Sequence, residues 1–268
     1  MKLIESKVEL IEQQPGLDGV YKQIELAGRT CYRSEDKITE DSAKGFVDRM
    51  IGSKHGAMLE HGTVYLCIPI IESTAYRIDS YNRNKYSKSQ IDIDKCVYYI
   101  TTNLRVLVEN NWLDDLKYIC EPTERHEKRI TVRFTCDRGV SHEIVRHRVM
   151  SFAQESQRYV GYDKEKFGGE VTFVKPHWYD EEFPACLTWV EALKESEKKY
   201  LELREAGLKP QDARGVLPNA TKTEIVVTGF ESDWEHFFSL RSPKAGAQGP
   251  HPDMAKLADE LYEKVKQC

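Results

Sequence analysis

Residues 128–136, KRITVRFTC, carry the most regular pattern in the chain. Apolar and polar side chains alternate, so that one face would present Ile130, Val132 and Phe134 and the other Thr131, Arg133 and Thr135. An alternation of period two predicts a β-strand with one buried face. The next residues, 137–139, read DRG and predict a turn into a helix. The chain therefore contains a sheet, and a charged segment starts at the end of one of its strands.

Strand and helix patterns alternate irregularly along the rest of the 268 residues. Alternating or β-branched runs predict further strands within residues 2–13, 63–71 and 222–229, and helical patterns cover 39–51, 179–205 and 253–268. The sequence shows neither a linker nor an internal repeat. We therefore expect an α+β fold in a single domain over residues 1–268, with a central mixed or antiparallel sheet flanked by helices.

The charge balance argues against a nucleic-acid partner. Lys and Arg total 39 against 44 Asp and Glu, a formal net charge of −5, whereas nucleic-acid-binding domains usually carry a basic surplus. Residues 72–95 mix tyrosines with basic side chains, as RNA-binding surfaces do. Acidic residues interrupt this segment, which favours an exposed hairpin or irregular excursion, with RNA binding through 76–95 as the alternative.

The cysteines and the N-terminus predict a cytoplasmic protein. The chain has seven cysteines and no CxxC pair, which favours reduced thiols. Residues 1–16 lack the long apolar run and cleavage site of a signal peptide, and no stretch approaches the roughly 18 apolar residues of a membrane span. We expect no membrane association.

Residues 141–159, SHEIVRHRVMSFAQESQRY, combine arginine, histidine, serine and glutamine and contain no lysine. Arg146, Arg148 and Arg158 offer planar guanidinium groups, which suit bidentate contacts to phosphate or carboxylate. The segment therefore predicts a site for a small phosphorylated molecule. The alternative is a solvated charged helix followed by a loop.

Other chemistries fit the motifs less well. His142 and His147 are five residues apart, about 500° on a helix, whereas zincin histidines are four apart. No other close His/Cys pair is evident in the sequence, so we expect no metal site. The serines lack a GxSxG context, and Cys31, the most plausible perturbed thiol, is better explained as a buried structural thiol.

Five blocks together resemble the flavin-dependent thymidylate synthases: LEHGTVYL at 59–66, HEIVRHR at 142–148, RHRVMSFAQESQR at 146–158, ARGVLPNATKTE at 213–224 and WEHFFSLR at 234–241. The resemblance implies a homotetramer whose active sites are shared between subunits. It implies reductive methylation of dUMP to dTMP, in which 5,10-methylenetetrahydrofolate donates the carbon and NADPH-reduced FAD donates the hydride. A noncatalytic nucleotide-binding or regulatory protein on the same fold is the alternative.

The resemblance also implies roles for individual residues. Arg241 is expected at the pyrimidine, His61 near flavin and folate, and Ser156 in a binding role at the reaction centre. The positions that match dUMP ligands are Glu143, Arg146, Gln154, Glu155, Ser156, Gln157, Arg158, Arg214 and Arg241, with Arg158 and Arg214 at the phosphate. The positions that match FAD ligands are Thr63, Arg146, His147, Arg148 and His236.

The chain departs from the family pattern in two places. Family members usually carry Asn and Arg where this chain has Phe230 and Ser232, and those residues help to hold FAD. In addition, 84 residues separate His61 from Arg146, so that about 68–125 is expected to be an insertion. It would be a cover over the folate side, an oligomer contact or a surface decoration.

Overall fold

The computed structural model describes residues 1–165 and 168–267, apart from the side chains at 72, 73 and 75. The α+β fold expected from the sequence is confirmed. None of the helices in these ranges combines the length and apolar character that crossing a membrane requires. The strands are β1 (Lys2–Ile4), β2 (Lys7–Ile11), β3 (Thr63–Pro69), β4 (Lys88–Asp92), β5 (Val97–Asn103), β6 (Arg129–Asp137), β7 (Ser151–Gln154), β8 (Thr172–Val174) and β9 (Lys222–Phe230).

The α-helices surround these strands. They are α1 (Gly16–Tyr32), α2 (Ser42–Gly52), α3 (Gly56–Leu59), α4 (Glu72–Asn82), α5 (Leu104–Glu109), α6 (Arg138–Ile144), α7 (Pro184–Glu205), α8 (Pro210–Ala213), α9 (Glu231–Arg241) and α10 (Pro252–Lys266). Short 3-10 helices cover 35–37, 113–118, 214–216 and 243–245.

The main sheet is antiparallel throughout, with strand order β2-β6-β9-β7. Its longest pairing joins β6 to β9, from Arg129 opposite Phe230 to Asp137 opposite Lys222. A second sheet has the order β3-β5-β4, and β1 pairs with β8 in parallel. The strand predicted at 128–136 is therefore the second strand of the main sheet.

The two faces of the main sheet differ in chemistry. Val132 and Phe134 are fully buried on one face and pack in the same cluster as Trp234 of α9 and Leu257 of α10. Burial of each such side chain stabilises the fold by about 1.5–3 kcal/mol. The other face presents Arg133 and its polar neighbours on β6, and helix α1 packs against its β9 and β7 end. This second face is where the sheet buries charge.

Two sequence predictions are wrong at the level of elements. The segment after α6 was expected to be helix and loop, but Ser151–Gln154 forms β7 on the edge of β9. Residues 72–95 were expected to be an exposed hairpin or an irregular excursion. Residues 88–92 do form one arm of the β4–β5 hairpin, but the segment also contains α4, whose Ile78 and Tyr81 are buried. In both cases the partner that stabilises the element lies far away in sequence.

The segment 68–125 contributes to the core of the protein. Its residues Ile100, Leu104 and Leu107 are fully buried in the cluster that contains Val20 and Ile24 of α1. Strands β4 and β5 also extend a sheet from β3. This burial argues against surface decoration; that the segment is an insertion relative to the family stays a prediction.

Gly62 allows α1 to approach the start of β3. A Cβ atom there would lie 2.6 Å from Ile24 Cδ1 and 2.7 Å from Val20 Cγ1. We expect Gly62→Ala to lower the free energy of unfolding by about 1–3 kcal/mol, because the buried helix must shift. Denaturant unfolding measures this change. Gly45→Ala on the exposed side of α2 is the control, since its Cβ would meet only Arg49 at 3.7 Å; equal losses in both variants would contradict the close packing of α1 on Gly62.

Candidate active site

The strands β6 and β9 each continue into a helix that carries predicted site residues. Asp137 ends β6 and caps α6, its Oδ1 accepting a hydrogen bond from Val140 N–H at 2.7 Å. At the other end of the sheet, Phe230 N–H donates to the Asp233 carboxylate at 3.0 Å as α9 begins. The last residue of α9, Arg241, returns to the end of α6.

Arg241 is held by two of the predicted ligand residues. Its Nη1 forms an ion pair with Glu143, and its Nε donates to His147 Nε2 at 3.1 Å. The His147 ring also lies 6.5 Å from the ring of His236 and 4.9 Å from that of Phe237. The structure thus brings together Arg241, Glu143, His147 and His236, which sequence reasoning assigned to one site.

His147 is a neutral imidazole in this cluster. Burial is the largest cause, and the positive charge of Arg241 adds to it; together they lower the pKa of His147 to about 4. Because Nε2 accepts from Arg241, the ring proton resides on Nδ1. His147 can therefore donate one hydrogen bond from Nδ1 at neutral pH, but it is not a cationic acid.

Four predicted anion ligands are exposed. Arg146 and Arg148 flank the buried His147, Arg158 lies after β7, and Arg214 begins the 3-10 helix 214–216. No carboxylate in the described part of the chain forms an ion pair with any of them. Arg158 packs on the Tyr159 ring at 5.2 Å. These guanidinium groups have hydrogen-bond donors available for an anionic ligand.

The remaining motif residues are engaged within the chain. Gln154 donates to Ser141 Oγ at 2.8 Å and to Thr223 Oγ1 at 3.2 Å. Ser156 N–H donates to the Cys31 carbonyl at 2.9 Å, and its Oγ accepts from Arg158 N–H at 3.3 Å. Gln157 is buried. Among the described residues, none of these hydrogen bonds involves Arg241, and contact of these residues with a nucleotide stays a prediction.

Glu155 is buried beside a lysine that sequence reasoning did not single out. Lys222 Nζ donates to Glu155 at 2.9 Å and to Glu224 at 2.6 Å. Burial raises the pKa of Glu155, and Lys222 opposes this rise. Burial would also raise the pKa of Glu224, but Lys222, Arg133 and Arg33 together outweigh it and the pKa is lowered. The period of two in the sequence TKTE, which puts Lys222 and Glu224 on one face of a strand, was the available signal.

A second group of predicted residues lies where β3 meets β6. His61 is fully buried, with Nδ1 2.9 Å from Thr228 Oγ1, and burial followed by the charge of Arg129 lowers its pKa to about 3. Thr63 is buried as well and accepts from Arg129 Nη1 at 3.3 Å. In this arrangement the His61 ring does not reach a ligand from solvent, so its role near flavin and folate stays a prediction.

Arg129 is a half-buried cation that the sequence reasoning missed. It also donates to the Glu60 carbonyl at 2.9 Å, and none of the described carboxylates forms an ion pair with it. Burial lowers its pKa to about 10, so it remains charged at neutral pH. With Thr63, Tyr65 and Lys128 it lines a cavity of about 430 Å³, a size typical of ligand sites. The sequence did offer a signal for Arg129: it lies two residues before Thr131 on an alternating strand, and therefore on the same polar face.

The two positions that depart from the family pattern contact the segment 68–125. Lys88 of β4 lies 4.8 Å from the Phe230 ring centre and donates to Ser232 Oγ at 2.5 Å. Ser232 in turn donates to Glu127 at 2.7 Å. Phe230 and Ser232 thus stand where the family pattern has the Asn and Arg that hold the adenosine side of FAD. Their contacts with Lys88 fix the position of β4 instead.

Cys31 is not an activated nucleophile. The thiol is buried, and burial raises its pKa to about 12. A thiol with a raised pKa carries almost no thiolate at neutral pH. The interpretation of Cys31 as a structural thiol agrees with this environment.

The pKa of His147 tests the geometry of the cluster. We expect its NMR titration midpoint near 4 in the wild type and a higher midpoint in Arg241→Gln, because one source of positive charge is removed. The midpoint should stay below the ordinary 6.5, since burial is the larger cause.

A neutral His147 stabilises the folded state fully above pH 6.5, and this contribution is lost as the pH falls through about 4.

Lys244→Gln is the matched control for that titration. It removes a positive charge that is not among the causes of the His147 shift. An unchanged His147 midpoint in Arg241→Gln, or an equal change in Lys244→Gln, would contradict the assignment.

Comparisons with known proteins agree with the resemblance drawn from the sequence. Residues 122–268 match the family model described as thymidylate synthase complementing protein. The flavin-dependent thymidylate synthase of Pyrococcus abyssi is 39% identical over 106 residues, which cover 40% of this chain and 43% of that relative. The protein of the same name from Mycobacterium avium is 27% identical over 241 residues, 84% of this chain and 68% of the relative. The chain thus spans less than half the length of the Pyrococcus relative that it matches.

Among solved structures, the UMP/dUMP methylase PolB from Streptomyces cacaoi bound with 5-Br dUMP aligns over 100% of this chain and 93% of its own. The TM-score is 0.48 and the identity 18%, a similarity too low to support an argument. The family model, in contrast, matches more than half of the chain. The protein therefore belongs to the thymidylate synthase complementing protein family.

Proposed function

We propose that this protein catalyses the reductive methylation of dUMP to dTMP, with FAD as cofactor, NADPH as reductant and 5,10-methylenetetrahydrofolate as carbon donor. The observation that carries the proposal is the set of exposed arginines without carboxylate partners in the described part of the chain: Arg146, Arg148, Arg158 and Arg214. The names of the relatives from Pyrococcus and Mycobacterium support the flavin and the product.

The nucleotide would be held at both of its ends. Arg158 and Arg214 would hold the phosphate, because planar guanidinium groups bind phosphate oxygens in pairs. Arg241, whose orientation is fixed by Glu143 and His147, would face the pyrimidine. A fixed cation at the ring stabilises negative charge that develops on the base during carbon transfer.

The residues present fit a flavin in part. His147 is neutral and has its Nδ1–H available, and the adjacent Arg146 and Arg148 are exposed, a set that suits the ring and phosphates of a flavin nucleotide. The adenosine side lacks its usual Asn and Arg. When bound, the flavin would supply the hydride; the chain's own groups would orient the reactants and hold the proton on Nδ1.

A site shared between subunits accounts for the separation of the predicted residues. In the described part of one chain, neither Arg158 nor Arg214 contacts the cluster around Arg241. Thr63 lines a cavity to which His147, Arg148 and His236 do not contribute. We propose that a homotetramer completes each site with residues from neighbouring subunits.

Arg158 tests the nucleotide site. Arg158→Ala should weaken dUMP binding by about 1.5–3 kcal/mol, the scale of a hydrogen bond to a charged group, measured by calorimetry on the full chain. The control is Arg83→Ala, which removes an exposed arginine directly after α4 that is paired with Asp79 and should leave the affinity unchanged. Equal affinities of wild type and Arg158→Ala would refute the phosphate role.

Flavin reduction separates the enzyme from a noncatalytic nucleotide-binding protein. Protein saturated with FAD should lose its flavin absorption band when NADPH is added without oxygen. Arg148→Gln should weaken FAD retention, whereas Lys244→Gln should not. Protein that binds dUMP but retains no FAD would instead support the noncatalytic alternative.

A further inference from the structure

Two cysteines and one histidine meet beside β3, outside the site described above. They are Cys67 on β3, Cys120 after the 3-10 helix 113–118, and His126 before β6. Their ligand atoms lie within 4.8 Å of one another. The sequence analysis expected no other close His/Cys pair, and that expectation is wrong: Cys120 and His126 are six residues apart. The fold then adds Cys67, 53 residues before Cys120.

The backbone brings the two cysteines together. Leu66 forms an antiparallel bridge with Ile119, and Cys120 N–H donates to the Tyr65 carbonyl at 3.0 Å. As a result the Cys67 and Cys120 sulfurs lie 2.8 Å apart. These contacts do not depend on an ion, so the pair of donors is preformed.

Aromatic packing fixes the histidine. The His126 ring meets the Tyr65 and Tyr99 rings edge-on, each at 5.3 Å between centroids. Its Nε2 donates to the Leu66 carbonyl at 3.2 Å, a bond that ion binding would replace, and lies 3.9 Å from Cys120 Sγ. The ring is buried, so its orientation towards the sulfur is held by both tyrosines.

We propose that Cys67, Cys120 and His126 bind a divalent cation of the zinc class through two thiolates and the imidazole Nε2. Sulfur and imidazole nitrogen are the donors that Zn²⁺ prefers. As each Zn–S bond forms, the thiol releases its proton to solvent. The ring stays neutral, but its proton, now on Nε2 because Nδ1 accepts from Thr123 N–H, moves to Nδ1 as Nε2 binds the ion.

Thr123 is placed to hold that tautomer. Its Oγ1 lies 3.0 Å from His126 Nδ1 and can accept the Nδ1–H, the arrangement that commonly orients a metal-bound histidine. The backbone N–H of Thr123, now 3.1 Å from Nδ1, would lose its acceptor. Zn–S bonds of about 2.3 Å at tetrahedral angles need sulfurs about 3.8 Å apart, so the sulfurs must separate on binding.

The ion would connect the segment 119–126 to β3. Cys120 and Ile119 line the same cavity as Arg129, so the metal would fix one wall of that cavity. Three protein ligands leave a fourth position for water or another donor. We therefore expect a structural metal site, which stabilises the fold more as the concentration of free zinc rises.

The test uses the reduced full chain with Zn²⁺, and with Co²⁺ as a spectroscopic probe. We expect one zinc per chain, a cobalt spectrum with thiolate charge-transfer bands, and a higher Tm with zinc. Cys67→Ser, Cys120→Ser and His126→Gln should each weaken zinc binding by at least about tenfold, the least that loss of even an outer partner costs. Cys96→Ser is the control, because Cys96 is exposed and, among the described residues, its thiol donates to the Ile93 carbonyl and not to the three proposed ligands.

Thr123→Val gives a milder variant that keeps all three ligands. It should weaken zinc binding by about tenfold while the cobalt charge-transfer bands persist. Zinc binding that is equal in wild type and Cys67→Ser would overturn the proposal. So would a Cys67–Cys120 disulfide in protein isolated without reductant, combined with no zinc uptake after reduction.

Discussion

The pairing of β6 with β9 is the constraint on which the rest of the structure depends. Its register sets Asp137 opposite Lys222 and Arg129 opposite Phe230, and each strand passes directly into a helix that carries site residues. Because antiparallel strands with period two fix which side chains share a face, this register also decides where charge is buried. A slip of one residue would turn Phe134 towards α1 and Arg133 into the apolar cluster.

The polar face of this sheet is costly for a protein to keep. Arg129, Arg133 and Thr135 each have a buried polar side-chain atom without a hydrogen-bond partner within the described residues. Such atoms cost about 1–3 kcal/mol each when water is excluded, and native interiors contain few of them. Their concentration on one strand is consistent with a face that meets polar ligands, water or a neighbouring subunit, as the proposed shared site requires.

The sequence predicted the parts of the fold that depend on local pattern. The alternation at 128–136 was sufficient to predict β6, since only one face of this strand packs against apolar side chains. It did not predict β7, because Ser151–Gln154 becomes a strand only by pairing with β9. Nor did it predict α4, which is stabilised by the burial of Tyr81 and its bond to Asp115 at 2.9 Å. The same distinction holds for the sites. Lys222 and Arg129 were missed because their importance comes from the contacts that the fold gives them. The meeting of Cys67 with Cys120 likewise depends on the bridge between Leu66 and Ile119.

Product formation tests the central claim most directly. The full chain would be incubated without oxygen with dUMP, methylenetetrahydrofolate and NADPH, in the presence and absence of FAD. We expect dTMP in the complete mixture and little or none when FAD is left out. Absence of dTMP from the complete mixture, with protein shown to bind both dUMP and FAD, would contradict the proposed reaction.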